Sequence, residues 1–185
     1  MTDIETTIII AMAAVLAAFV TGILSLVNLI ISKDIKISEL RQNWINSLRE
    51  EVSSFIATAN SVSAEWKCHP DKTDGVNFIS KNIELIHKLD TLSHKIRLRL
   101  NPKEHEDTIT LVNDIERLLS SPVQINNSNN LMLYFEKLNT QTQNILKEEW
   151  KRVKSGEPSY KILKVTSIIF LITILITSKY IYTHI

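Results

Sequence analysis

The sequence predicts an all-α protein: two transmembrane helices, one N-terminal and one C-terminal, flanking a cytoplasmic helical bundle of about four helices. Three observations carry this reading. No charged side chain interrupts Thr6 to Ile31, and about 20 apolar residues are enough to cross the hydrocarbon core of a bilayer. A second apolar stretch fills Val165 to Ser178. Between the two, apolar residues recur at spacings of three and four, the period of an amphipathic helix. The expected organisation is a short external N-terminus at 1–6, a first span at 7–31, a cytoplasmic helical domain at 32–161, a second span at 162–182 and an external C-terminus at 183–185.

The first span reads as an uncleaved anchor. A cleavable signal peptide needs a basic start, a short apolar core and a small-residue cleavage site, whereas this chain carries Asp3 and Glu5 ahead of a long apolar stretch. The second span is shorter, 14 residues from Val165 to Ser178. Lys164 and Lys179 can extend their ammonium groups to the two interfaces, and Tyr180 and Tyr182 suit the headgroup level. The competing arrangement is a hydrophobic C-terminal helix folded onto the soluble part. Orientation follows from the basic residues. Lys33, Lys36, Arg41 and Arg49 follow the first span, and Lys147, Lys151, Arg152, Lys154, Lys161 and Lys164 precede the second. Both flanks of the middle region are positive, which places it in the cytoplasm and both termini outside.

Neither proline nor glycine occurs from Ile23 to His69, so one helix should run out of the membrane to about Lys67, with Ile37, Leu40, Trp44, Leu48, Val52, Phe55, Ala59 and Val62 as its seam. His69, Pro70, Asp71 and Asp74-Gly75 break it. Val76, Ile79, Ile83, Ile86, Leu89, Leu92 and Ile96 then predict a second helix ending near Leu100. Asn101-Pro102 suits the start of a third, with Pro at its first position, marked by Ile109, Val112, Ile115 and Leu119. Ser121-Pro122 and the polar run from Asn126 to Asn130 predict a loop. A fourth helix carries Leu131, Phe135, Leu138, Ile145 and Val153 and ends near Gly156. An even number of antiparallel helices returns the chain to the membrane, in an antiparallel bundle or in a helical hairpin that assembles between chains.

Composition removes most enzyme classes. Glycine occurs only at Gly22, Gly75 and Gly156, so no Gly-rich loop can bring backbone N–H groups onto a phosphate. The formal charge is +1, which gives no global field toward nucleic acid or anionic lipid. Cys68 is the only cysteine, excluding an internal disulfide and a multi-cysteine metal centre. His69, His87, His94, His105 and His184 lack metal-ligand spacing, Cys68-His69 reads as a chance pair at a helix end, and no nucleophile motif appears. The expectation is a non-enzyme with no cofactor, no metal and no small-molecule substrate.

The side chains with most to offer lie on the helices. On the first span Ala14, Ala18, Thr21, Gly22, Ser25 and Asn28 recur at helical spacing, and small residues let helix backbones approach. On the second, Thr166, Thr173 and Thr177 form a comparable stripe. These stripes either pack together within one chain or assemble several chains around a polar path, with Asn28 the residue most exposed to water in the second case. Arg97 and Arg99, with His94, Lys95 and Lys103, form the densest basic cluster away from the membrane. They could hold phosphates or simply cap a solvated helix end with favourable charge.

The segment Arg41-Gln42-Asn43-Trp44-Ile45-Asn46-Ser47-Leu48-Arg49, an R-x-x-W-I-x-x-L-R pattern just inside a first span, resembles small two-span bacterial membrane effectors of anti-phage defence systems, most of all the retron transmembrane effectors. The resemblance implies a bacterial inner-membrane effector that damages the membrane, and the small and polar stripes suit self-association of its spans in the lipid bilayer. It also implies restraint by a reverse transcriptase with its RNA–DNA hybrid, and host killing or arrest (abortive infection) on release. On that reading Arg41, Trp44 and Arg49 hold the partner; otherwise they fix the bundle beside the headgroups. The alternatives are a passive membrane anchor or scaffold for a cytoplasmic partner, and a phage exclusion protein.

Overall fold

The computed structural model describes residues 3–120, 125, 128–155, 162, 165–170, 172, 173 and 176. Every regular element among them is helical: α1 Asp3–Cys68, α2 Gly75–Lys81, α3 Ile83–Arg99, α4 Glu106–Leu119 and α5 Ser128–Ser155. The chain forms two compact units, Gln42–Lys151 on the one hand and Met1–Arg41 with Arg152–Ile185 on the other.

Helix α1 runs for 66 residues, as the absence of breakers predicts. Its early part contains the one stretch among the described residues that is apolar and long enough to cross a membrane, and none of that stretch is buried. The second predicted span lies largely outside the described residues. Its described residues, 162, 165–170, 172, 173 and 176, are helical, and the Phe170 ring lies 6.1 Å from that of Phe19.

In the Gln42–Lys151 unit α1 changes character. Ile45, Leu48, Val52, Phe55, Ala59, Val62 and Trp66 are buried at spacings of three and four, forming the stripe that turns a helix toward a core. The predicted seam therefore holds from Leu48 onward but not at Leu40, which is 60% exposed. Trp44 is half-buried, and Ile45 takes the core position beside it. Lys72 ends the helix by donating to the carbonyls of Trp66 and, at 2.8 Å, Lys67. A cation there satisfies carbonyls that have no intrahelical donor and complements the helix dipole.

Two helices replace the predicted second one. Asn82 departs from helical geometry at φ −111° and ψ 19°, and its carboxamide donates to Phe78 O at 3.0 Å. An asparagine that bonds the backbone locally competes with helix propagation, so α2 and α3 meet at a break that the apolar period does not reveal. Asp74 caps α2 by accepting from Asn77 N at 3.0 Å. The third predicted helix also starts later than Asn101-Pro102. Residues 101–105 form their own turn, in which Asn101 O accepts from His105 N at 2.9 Å and Asn101 Oδ1 from Lys103 N at 3.0 Å. Helix α4 then begins at Glu106, with Glu106 and Asp107 in its first turn, where acidic side chains favour the dipole. Of the predicted loop, Ser121-Pro122 and Asn126-Asn127 lie outside the described residues, while 128–130 already belong to α5. Helix α5 buries Leu131, Phe135, Leu138, Thr142 and Leu146.

The antiparallel course of α1 and α3 is fixed at both ends. Trp44 and Glu51 reach Arg99 at the end of α3, whereas Val62 and Trp66 pack with Phe78 and Leu85 near its start. Thr108 donates to Gln141 Oε1 at 3.1 Å and ties α4 to α5. Ile96, Val112, Ile115 and Leu138 are fully buried between these elements.

Candidate functional site

Two of the sequence-derived candidates, Trp44 and Arg99, converge with one residue that sequence reasoning passed over, Glu51. Trp44 and Glu51 stand two turns apart on the same face of α1, since seven residues span almost two helical turns. Both meet Arg99. The Trp44 indole N–H donates to the Arg99 carbonyl at 3.2 Å. The Arg99 guanidinium donates from Nε to Glu51 Oε2 at 2.7 Å and from Nη2 to Glu51 Oε1 at 2.6 Å, the two-pronged arrangement that a planar guanidinium makes with a carboxylate. The hydrogen-bonded carboxylate holds the guanidinium above the ordinary arginine value, with desolvation opposing it. Since Leu100 N bonds Ile96 O, the carbonyl that Trp44 reads is one of those left without an intrahelical donor at the end of a helix. The distinctive segment of α1 thus clasps the C-terminus of α3.

Arg97, in the last turn of α3, points to α4. It donates to Asn113 Oδ1 at 2.6 Å and Glu116 Oε2 at 2.8 Å, and to Ser93 Oγ at 3.0 Å. The basic cluster at the end of α3 therefore consists of two arginines engaged in opposite directions, Arg99 with α1 and Arg97 with α4. An anionic partner on either guanidinium would compete with an internal carboxylate.

Arg49 is placed differently. It is exposed and bonds Asn46 Oδ1 at 3.1 Å within its own helix. A shallow groove between α1 and α5 holds it together with Gln42, Asn46, Gln143, Lys147 and Trp150. Trp150 is 41% exposed. Two cations, three carboxamides and an indole edge in one groove offer donors to an anionic partner and an amphipathic ring to its apolar part. Lys147 and Trp150 carried no distinguishing pattern in sequence; only the pairing of α5 with α1 brings them to Arg49. Arg41 is half-buried and belongs to the other unit.

The other unit contains the small and polar stripe. Ala14, Ala18, Thr21, Gly22, Ser25 and Asn28 are all exposed, and a Cβ built on Gly22 would meet nothing within 4 Å. The half-buried positions of this segment are Val20, Ile23, Val27, Ile30, Ile31 and Asp34. At 100° per residue the two sets are centred roughly 160° apart around the helix. The face that is partly covered within the chain is thus branched and apolar, and the small-residue face lies opposite. Thr166 and Thr173 are also exposed; Thr177 lies outside the described residues. The hydroxyls are turned back on their own helices: Thr21 to Ala17 O, Ser25 to Thr21 O, Thr166 to Ile162 O and Thr173 to Ile169 O, at 2.8 to 3.1 Å. Asn28 has no such bond among the described residues. Nor does any group of three His, Cys, Asp or Glu side chains there converge as a metal site.

No protein-family model matches this chain, nor does any curated protein or any solved structure. Fold and site alone define its class: a helical protein with, among the described residues, one exposed, span-length apolar helix segment and a compact helical unit clasped through Trp44, Glu51 and Arg99. The nine-residue resemblance gains no support from relatives, and the structure gives part of that segment an architectural role.

Proposed function

We propose that this chain is an inner-membrane effector of an anti-phage defence system, one that self-associates through its first span and damages the membrane when a cytoplasmic partner complex releases it. The observation that carries the reading is the position of the Ala14–Asn28 stripe. A helix face of small and polar residues turned away from the chain's own covered face is suited to a second helix, because small residues permit close backbone approach and polar groups bond across the contact. Residues 162–182 form the second span in this reading, supported by the flanking Lys164 and Lys179 and by the Phe170 ring beside Phe19. The middle domain is cytoplasmic and both termini are outside, by the distribution of basic residues.

The restraining partner, on the nine-residue resemblance a reverse transcriptase with its RNA–DNA hybrid, binds the groove of Arg49, Lys147 and Trp150. There, among the described residues, the cations are not already committed to carboxylates as those of Arg97 and Arg99 are. The test is membrane potential and viability of a bacterial culture after induction of the chain alone, then with its genomic neighbours, then during phage infection. Depolarisation that Asn28→Leu and Gly22→Leu abolish, and that the neighbours suppress, is the expected result. An unchanged potential in all three conditions at verified membrane expression would refute the effector and favour a passive anchor. Arg49→Glu should release the restraint without altering toxicity of the chain alone.

A further inference from the structure

The Gln42–Lys151 unit has two dissimilar ends. The clasp end is drawn together by the Arg99–Glu51 pair, whereas at the other end Trp66 Nε1 and His69 Nε2 are buried with no hydrogen-bond partner among the described residues. A cavity of about 290 Å³ opens beside them. Trp66, Phe78, Leu89, Leu119 and Ile125 are among the apolar residues of its wall. Trp66 is itself packed edge-on by Phe78 at 4.9 Å between ring centroids and stacked by His69 at 5.9 Å, so the wall is rigid. Native interiors contain few voids larger than a water molecule, and binding pockets begin at about this size, apolar in body with a few polar groups.

We infer that this cavity is a binding site for a small hydrophobic amine: an apolar body of about one aromatic ring with a short arm, ending in an ammonium group. Size sets the body. An apolar cavity of about 150 Å³ accommodates benzene, and one nearly twice as large takes the ring with a two- or three-carbon chain. Charge sets the head. Among the described residues, the charged side chains lining the cavity are acidic, Asp90 and Glu116. Glu116 is already joined to Arg97 at 2.8 Å, whereas the Asp90 carboxylate makes no ion pair among the described residues. An ammonium group at the mouth therefore meets Asp90, whereas a carboxylate there would face Asp90 and find Arg97 already engaged by Glu116 and Lys72 by the Trp66 and Lys67 carbonyls. Because Leu89 and Asp90 come from α3, Leu119 and Glu116 from α4, and Trp66 from the end of α1, occupancy would tie three helices that otherwise meet around an open space.

The experiment uses the full chain in lipid nanodiscs with 5-fluorotryptophan at Trp44, Trp66 and Trp150, the three tryptophans of the sequence. Phenethylamine is the probe, with propylbenzene as its uncharged counterpart and hydrocinnamate as its anionic one. The expected result is a saturable shift of the Trp66 fluorine resonance by phenethylamine with Trp44 unmoved, roughly tenfold weaker response to hydrocinnamate, and intermediate response to propylbenzene. Asp90→Asn should weaken phenethylamine about three- to fivefold, the range of an exposed ion pair, and leave propylbenzene unchanged. Leu119→Trp, which fills the cavity from a half-buried position, should abolish the response to both while the Trp44 resonance reports an intact fold. A Trp66 resonance that phenethylamine does not move, a response that survives Leu119→Trp, or hydrocinnamate binding as well as phenethylamine would each overturn the assignment.

Discussion

Glu51→Gln keeps the shape of the side chain at the clasp but removes its charge, leaving the Arg99 guanidinium against a neutral acceptor. The two bonds lost or weakened are charge-assisted and short, at 2.7 and 2.6 Å. Side-chain exposures of 28% for Arg99 and 12% for Glu51 place the pair between an open surface ion pair, worth about 0.2–1 kcal/mol, and a fully buried one, whose disruption costs about 3–5 kcal/mol. The expected coupling between Glu51 and Arg99 is about 2 kcal/mol, close to the value of hydrogen bonds to charged groups and equivalent to about a thirtyfold change in the folding equilibrium. A double-mutant cycle of Glu51→Gln and Arg99→Met isolates it. Urea titration of the full chain in detergent micelles, followed by the fluorine resonance of 5-fluorotryptophan at position 44, supplies the four free energies. Coupling below about 0.5 kcal/mol, the level of an exposed pair, would show that these side chains do not hold α3 against α1.

Trp44→Phe retains the ring and deletes the donor to Arg99 O, so it should cost about 1 kcal/mol and speed hydrogen exchange at the last turn of α3 more than elsewhere in the bundle. Ile115→Ala and Leu138→Ala remove fully buried side chains and should each destabilise the Gln42–Lys151 unit by about 2–5 kcal/mol, measured by the same titration. The Thr73 hydroxyl, followed by its backbone N–H, bonds Asp71 and holds that carboxyl below its ordinary value. A depressed folded-state value stabilises the turn above the ordinary aspartate value, about 3.9, and the stabilisation is lost as pH falls through the lowered one. Thr73→Val should move the Asp71 titration back upward in a carbon NMR experiment. Gly22→Leu fills open space, so it should leave urea stability unchanged while reducing chemical crosslinking between chains in membranes.

The sequence made the long α1, the all-helical class and most of the core legible, because unbroken apolar periodicity is a local signal and each buried position repeats it. Other features escaped for particular reasons. Asn82 interrupts a perfect period through one side-chain bond to Phe78 O, and periodicity records apolar positions rather than local polar competition. Leu40 fits the seam by spacing yet is exposed, since spacing does not say where along a helix the packing begins. The clasp was half legible: Trp44 and Arg99 stood out as residue types, but their joining spans 55 positions and that of Glu51 with Arg99 spans 48, separations set by the turns between helices. The groove of Arg49 was invisible for the same reason, as Lys147 and Trp150 acquire meaning only beside α1. Conversely, the small-residue stripe was readable outright, while the face opposite it, Val20 to Asp34, emerged only from burial.

Asn28 has a consequence that its neighbours on the stripe do not share. Thr21 and Ser25 satisfy their hydroxyls within the helix, so in hydrocarbon they are silent and a lone chain suffers nothing from them. The Asn28 carboxamide has two donors and an acceptor and finds no bond among the described residues. Surrounded by lipid, such a group raises the energy of the solitary state, and a second helix or a thread of water lowers it again. If the segment spans a membrane as proposed, a single amide makes isolation its uncomfortable condition, and a partner that kept chains apart would act against it continuously.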